Sequence, residues 1–177
     1  MSGGSGRQDD AQVWTEWVCA HGPAVRGYLM ALVRRADVAE ELAQETFFRA
    51  WRARRRYREE GSVRGYLMRI ADRLICDRAR KLGREIQVKD ELWRVMEPAT
   101  PSLGPADVVV HEEVKQHLAV AISRLSPAQR RVLLLRYYGD LSFAEIAAVM
   151  QCPLGTALSH CHRALRTLRE QLIGSER

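Results

Sequence analysis

At 177 residues the chain has the length for one medium domain or two small ones, each with its own core, and a 46% hydrophobic content supplies the apolar material for it. The net charge of +6 favours a polyanionic partner. No run of about 18 apolar residues exists and the N-terminal MSGGSGRQDD has no apolar core, so a membrane span and a signal peptide are excluded and a soluble, cytoplasmic protein without direct membrane insertion is expected.

The charge is unevenly spread. Residues 1–24 carry −2, 25–81 carry +7, 82–116 carry −3 and 117–177 carry +4. Two basic blocks flanking an acidic one suggest two nucleic-acid-facing modules joined by a segment with a different job. Four cysteines, Cys19, Cys76, Cys152 and Cys161, form no CxxC pair, so neither a disulfide framework nor a common zinc signature is indicated. Cys152, His160, Cys161 and His162 do cluster in sequence, but Cys161 falls on an apolar helical face while its flanking histidines point elsewhere. Buried structural thiols, and no metal or cofactor, are the expectation.

Residues 1–10 are rich in Gly, Ser and Asp, and are expected to be disordered. Trp14, Trp17, Val18 and His21 then share a helical face, and Val25, Tyr28, Leu29 and Leu32 resume it after Gly22-Pro23. Pro23 either kinks one helix or separates two. Asp37 opens the next helix, with Glu40 completing a capping pattern, and Ala39, Leu42, Ala43, Thr46, Phe47 and Ala50 form its core stripe. The other face presents Glu41, Gln44 and Glu45, then Arg49 and Arg52. That order suits the helix dipole and suits contact with a partner equally well.

The run RAWRARRRYREEGS from Arg49 to Ser62 brings Arg49, Arg52, Arg54, Arg55, Arg56 and Arg58 together with Trp51 and Tyr57. Cations interleaved with aromatic rings are how proteins hold single-stranded nucleic acid: the cations meet the backbone and the rings stack on unpaired bases. A solvated basic loop is the bland alternative. Ser62 caps a third helix in which Val63, Tyr66, Leu67, Ile70, Ala71 and Leu74 repeat the core spacing, so this helix and the second are expected to pack together. Arg64, Arg69, Arg73, Arg80 and Lys81 make its outer side basic, with Asp72 and Asp77 among them. Residues 11–82 thus read as one all-helical domain.

Periodicity fails in the acidic, proline-containing stretch 83–109, which reads as a flexible linker. Helical spacing returns at Val110, Val114, Leu118, Ile122 and Leu125, and Ser126-Pro127 caps a helix that runs to Gly139. Ser142 with Glu145 forms a capping box for a short helix carrying Phe143, Ile146, Ala147 and Met150. Gln151, Cys152 and Pro153 end it, and a further helix buries Ala157, Cys161, Ala164 and Leu168 while exposing Ser159, His160, His162, Arg163 and Arg166. Leu141–Leu168 is therefore a helix-turn-helix whose outer face suits a major groove. Residues 110–173 make a second small helical domain, and the fold class is all-α.

These segments resemble the extracytoplasmic-function (ECF) sigma factors, compact sigma-70 relatives that keep regions 2 and 4. The resemblance is carried by ELAQETFFRAWRA at 41–53, GSVRGYLMRIADRLICDRARK at 61–81, LSPAQRRVLLLRYYGDLSFAEIA at 125–147 and CPLGTALSHCHRAL at 152–165, and it covers nearly the whole chain in order. It implies a non-enzymatic, dissociable subunit that gives bacterial RNA polymerase core its promoter specificity and is held by an anti-sigma factor. Glu41, Gln44 and Glu45 match the positions that dock on the polymerase clamp helices. Arg49, Trp51, Arg52, Arg55, Arg56, Tyr57 and Ser62, with Arg64, Arg69, Arg73 and Arg80, match the segment that captures and melts the minus-ten element. Thr156, Ser159, His160, Arg163 and Arg166 match the reader of minus-thirty-five promoter DNA. The acidic linker matches the segment that threads toward the active-site cleft.

The chain departs from family recognition helices of the GTVKSRLHRAR type, with Leu158, His160 and Leu165 at commonly basic positions. Each lost phosphate contact lowers the logarithmic salt slope by roughly 0.9, and the two leucines extend an apolar patch open to a partner. A regulator of the LuxR kind shares the C-terminal helix-turn-helix but leaves the first domain unexplained. A zinc enzyme built on Cys152, His160, Cys161 and His162 lacks any convergent acid, base and nucleophile set.

Overall fold

The structure is a computed structural model that describes residues 5–54, 62–82, 118 and 120–174. The expected linker, and with it the arginine-aromatic residues Arg55, Arg56 and Tyr57, lies outside the described residues. Six helices have both ends within them: α1 (Ser5–Val33), α2 (Ala36–Ala53), α3 (Val63–Leu82), α4 (Pro127–Gly139), α5 (Phe143–Met150) and α6 (Leu154–Gly174). A further helical turn over 120–123 precedes α4. Among the described residues there is no strand, and no helix is long and apolar enough to cross a membrane.

The α1 helix runs unbroken through Pro23 and its backbone reaches back to Ser5, into the stretch 1–10 expected to be disordered. Proline removes one N–H bond, and burial of Val25, Tyr28, Leu29 and Leu32 just beyond it holds the helix together. Arg34 closes α1 in the left-handed conformation (φ 62°), its N–H bonded to the Met30 carbonyl at 3.0 Å. The Asp37–Glu40 cap does not form. The N-cap of α2 is Arg35, which makes no side-chain cap bond, and Asp37 sits inside the first turn. Its carboxylate is taken by the Arg35 guanidinium, and Glu40 is drawn to Arg26 of α1 at 2.8 Å. The carboxylates find arginines in reach and leave the helix end to the backbone.

The other boundaries follow their local chemistry. Ser62 caps α3, its Oγ accepting from Gly65 N–H at 3.0 Å. Ser126 with Gln129 and Ser142 with Glu145 form complete capping boxes, the first followed by Pro127 in the opening turn. Asp140 and Gln151, both left-handed, end α4 and α5. Buried Arg130 donates to the carbonyls of Ile122, Ser123 and Leu125 at 3.3, 2.9 and 3.0 Å, tying off the end of the preceding helical turn.

Helices α1, α2 and α3 pack pairwise into a first bundle, with the expected stripe of α2 in its core. Helices α4, α5 and α6 form the second. The two bundles share one continuous core: α4 packs on α1 and α3, and α5 on α3. Besides the stripe read from the sequence, α3 therefore also buries Met68, Asp72 and Ile75. Gly139 sits at the contact, where a Cβ would lie 2.9 Å from Leu141 Cγ and 3.5 Å from Met68 Cγ.

A polar joint crosses this contact. Asp72, expected on the basic outer side of α3, is only 2% exposed. Its carboxylate accepts from Tyr28 Oη at 2.6 Å and from Arg131 Nε at 2.9 Å, with a second Arg131 bond through Nη2 at 2.5 Å. Burial pushes the Tyr28 hydroxyl well above its usual range, and the Asp72 charge adds to that. Burial alone would lower Arg131; its hydrogen bonds and charge pairing with Asp72 reverse the direction and raise it.

Candidate nucleic-acid interface

Three surfaces carry the residues singled out in the sequence. On the outer face of α2, Glu41, Gln44 and Glu45 stand together, each with a partner: Glu41 with Arg78 at 3.6 Å, Gln44 donating to Glu40 at 3.4 Å, Glu45 with Arg49 at 2.6 Å. Beside them a groove of about 1430 Å³ opens between α1, α2 and α4, lined by Trp14, Met30, Gln44 and Phe48 and bordered by Tyr137 and Tyr138.

At the end of α2 one of the two aromatic residues of the basic run, Trp51, is already engaged. The Trp51 ring lies 5.2 Å from that of Trp14, and the Arg54 guanidinium stacks on it at 3.7 Å while donating to the Trp51 carbonyl at 3.0 Å. Arg52 lies 5.7 Å over Phe48. Trp51 is thus part of an aromatic cluster with Trp14, whose ring also meets Phe47 edge-on at 5.8 Å.

Along α3, spacings of 4 and 7 residues put Arg69, Arg73 and Arg80 on one exposed stripe. Arg80 reaches back to Asp77 at 2.5 Å. Arg64 falls roughly 140° around the helix from Arg69 at about 100° per residue and is half-buried near His21, whose imidazole is held below its usual range by burial and then by the Arg64 charge. The site residues of this helix therefore do not form one surface. Ser62, at the start of the helix, donates to Glu145 of the helix-turn-helix at 2.8 Å, so the second bundle occupies it.

On α6, Thr156, Ser159, Arg163 and Arg166 lie along one face, with His160 half-buried at its edge. Thr156 and Ala157 donate to the Pro153 carbonyl at 2.9 and 3.2 Å, which anchors the start of the helix. Arg166 has one loose pair, Glu170 at 3.7 Å. Cys161 lies in the core, where burial raises its thiol. Among the described residues no three His, Cys, Asp or Glu side chains converge as a metal site would require.

The sequence reading missed the joint between the bundles. Asp72 looked like one acid among surface arginines, and nothing in the sequence singled out Arg131. The available signal was Asp72 falling near Met68 and Ile75 on the helical wheel, beyond what the first stripe needs.

Sigma-70 region 2 matches residues 17–85, and sigma-70, region 4 matches residues 115–168. The chain is 32% identical to the RNA polymerase sigma factor CarQ of Myxococcus xanthus, with 93% of this chain and 92% of that one covered. It is 31% identical to the ECF RNA polymerase sigma factor RpoE of Cereibacter sphaeroides, with 92% and 88% covered, and 31% identical to SigW of Bacillus subtilis, with 76% and 75% covered. The fold resembles the sigma factor RpoE solved with the anti-sigma factor NepR from Bartonella quintana, at a TM-score of 0.71 and 24% identity over 91% of this chain and 97% of that one. It also resembles CnrH solved with the cytosolic domain of CnrY, at a TM-score of 0.63 and 20% identity, with 93% and 90% covered. A region 2 match is not accounted for by a LuxR-like regulator, and that alternative falls. The chain belongs to the sigma-70 family as an ECF sigma factor, a non-enzymatic subunit that directs RNA polymerase to promoters.

Proposed function

We propose that the surfaces described above divide the work of promoter recognition. The α2 face of Glu41, Gln44 and Glu45 docks on the polymerase core. The segment from Arg49 through Ser62 and the α3 stripe of Arg69, Arg73 and Arg80 hold and melt the minus-ten element, where extruding a base costs a few kcal/mol that a formed site must offset. Thr156, Ser159, Arg163 and Arg166 on α6 meet the minus-thirty-five element. The observation that carries this reading is the pair of exposed basic stripes, one on each bundle, beside a carboxylate-bearing α2 face in an otherwise basic half. The protein works in the cytoplasm, where the polymerase is, and an anti-sigma factor holds it until a signal arrives; the complexes formed by its structural neighbours with NepR and CnrY support that partner class.

Transcription in vitro with bacterial core enzyme tests the division. Arg69→Ala with Arg73→Ala is expected to abolish promoter opening, read by permanganate footprinting, while gel filtration still shows binding to core. Glu41→Ala with Glu45→Ala is expected to lose core binding itself. If the α3 variant opened promoters normally, the minus-ten assignment would be wrong.

A further inference from the structure

The recognition helix carries a feature that promoter binding does not use. Leu154, Leu158, Leu165 and Leu172 are 49%, 44%, 55% and 36% exposed. With Cys161 and Leu168 they alternate at spacings of 4 and 3 along the whole of α6, the a/d pattern of a helix that pairs with another helix. At about 100° per residue the four exposed leucines fall within roughly 40° of one another, on a line about 27 Å long. They are not core residues: Ala157, Cys161 and Ala164 turn into the bundle, and the leucines lie on the flank next to them. Aligned exposed leucines on a small soluble protein mark an interaction surface.

Charge decides what fits. On the open side of the leucine line stand His162, Arg166 and Arg169, all exposed, while Glu170, the acid of this helix, lies farther round it. A second copy of the chain would bring the same arginines to the same place, with little to neutralise them. A helix with its own leucine line and with carboxylates beside it matches both features. We propose that the leucine line of α6 is a docking surface for an acidic amphipathic helix of a partner protein. Because α6 would be flanked by that helix along His162 and Arg169, the major-groove face and the partner exclude each other. The leucines at Leu158 and Leu165 thus exchange some affinity for DNA for a second, competing ligand. This exclusion rests on the promoter reading, whereas the docking itself does not.

The test uses the full chain and a labelled synthetic peptide of about three heptads, with leucine at a and d and glutamate at e and g, beside the same peptide with lysine at e and g. The glutamate peptide is expected to bind in fluorescence anisotropy, the lysine peptide at least tenfold more weakly. Leu158→Ser with Leu165→Ser should weaken glutamate-peptide binding at least tenfold with an unchanged thermal midpoint, and Leu158→Lys with Leu165→Lys should do the same while tightening binding to a random-sequence duplex. Equal binding of the two peptides, or no effect of either variant, overturns the proposal. Weaker duplex binding by the lysine variant would assign the leucines to DNA, and a dimer in light scattering that Leu165→Lys dissociates would assign them to a second copy; each overturns it. Loss of peptide binding by wild type with promoter initiation intact would leave the promoter reading standing and remove this one.

Discussion

Asp72 shows how one residue can be read correctly as to type and wrongly as to place. A carboxylate between arginines on a helix is ordinarily solvated, and nothing in its spacing pairs it with Tyr28 or Arg131, which lie 44 and 59 residues away. Only the packing of two bundles brings them together. A buried pair broken from one side leaves an uncompensated charge, which costs about 3–5 kcal/mol. Asp72→Ala is therefore expected to lower the urea midpoint severely. Arg131→Met in the Asp72→Ala background should recover part of the loss, so that a double-mutant cycle gives a large coupling; additive effects would mean the pair carries no net interaction. Glu145 makes a second, pH-dependent prediction at the same contact. The backbone N–H of Ser142 holds its carboxyl below the usual glutamate range against the opposing effect of burial, and the hydroxyls of Ser62 and Ser142 add to this. A lowered folded pKa gives stability that is complete above the unfolded value and lost as pH falls through the folded one. Thermal midpoints from pH 6 to pH 3 should thus fall more steeply for wild type than for Glu145→Gln, and parallel curves would refute the role.

At the scale of the element, local chemistry was legible where it was self-contained. Ser126-Pro127 and Ser142 with Glu145 form the expected caps because each box closes within four residues, whatever surrounds it. Asp37 with Glu40 has the same pattern and fails, since Arg35 and Arg26 offer stronger, charged partners from outside the box. The α2 stripe was legible for the same reason as the caps, whereas α3 showed only one of its two buried faces: a second apolar line of Met68 and Ile75 is broken by Asp72 and does not stand out as periodicity. For α6 the basic face was legible and the leucine line only in part, as two departures from a family pattern. Arg163 and Arg166 are exposed on the face proposed to meet DNA, so alanine at each is expected to weaken binding to a promoter duplex and to lower the logarithmic salt slope by about 0.9 per residue. Titrations from 50 to 200 mM salt check this, and an unchanged slope would place both arginines away from phosphate.

The whole molecule presents a geometric problem that neither bundle shows alone. The minus-ten and minus-thirty-five elements are separated by about 25 base pairs, or about 85 Å of duplex at 3.4 Å per step. A compact chain of this length has a radius of gyration of about 16 Å, and here α3 and α6 belong to bundles that share a core, with Ser62 bonded to Glu145 and Asp72 to Arg131. In this closed arrangement the α3 stripe and the α6 face cannot reach both elements of a straight promoter, so under the proposed function the bundles separate when both are engaged. Opening exposes Asp72 and Arg131 to water, which supplies the hydration that the broken pair needs, and uncovers Ser62 for the minus-ten strand. Fluorophores at Glu16→Cys on α1 and Ala148→Cys on α5, both exposed, in a chain whose native cysteines are replaced by serine, should give high energy transfer in the free protein and low transfer in the complex with core enzyme and promoter. Asp72→Ala should shift the free protein toward the low-transfer state. If transfer stayed high in the promoter complex, the two bundles would be acting as one body and the DNA would have to bend to meet them.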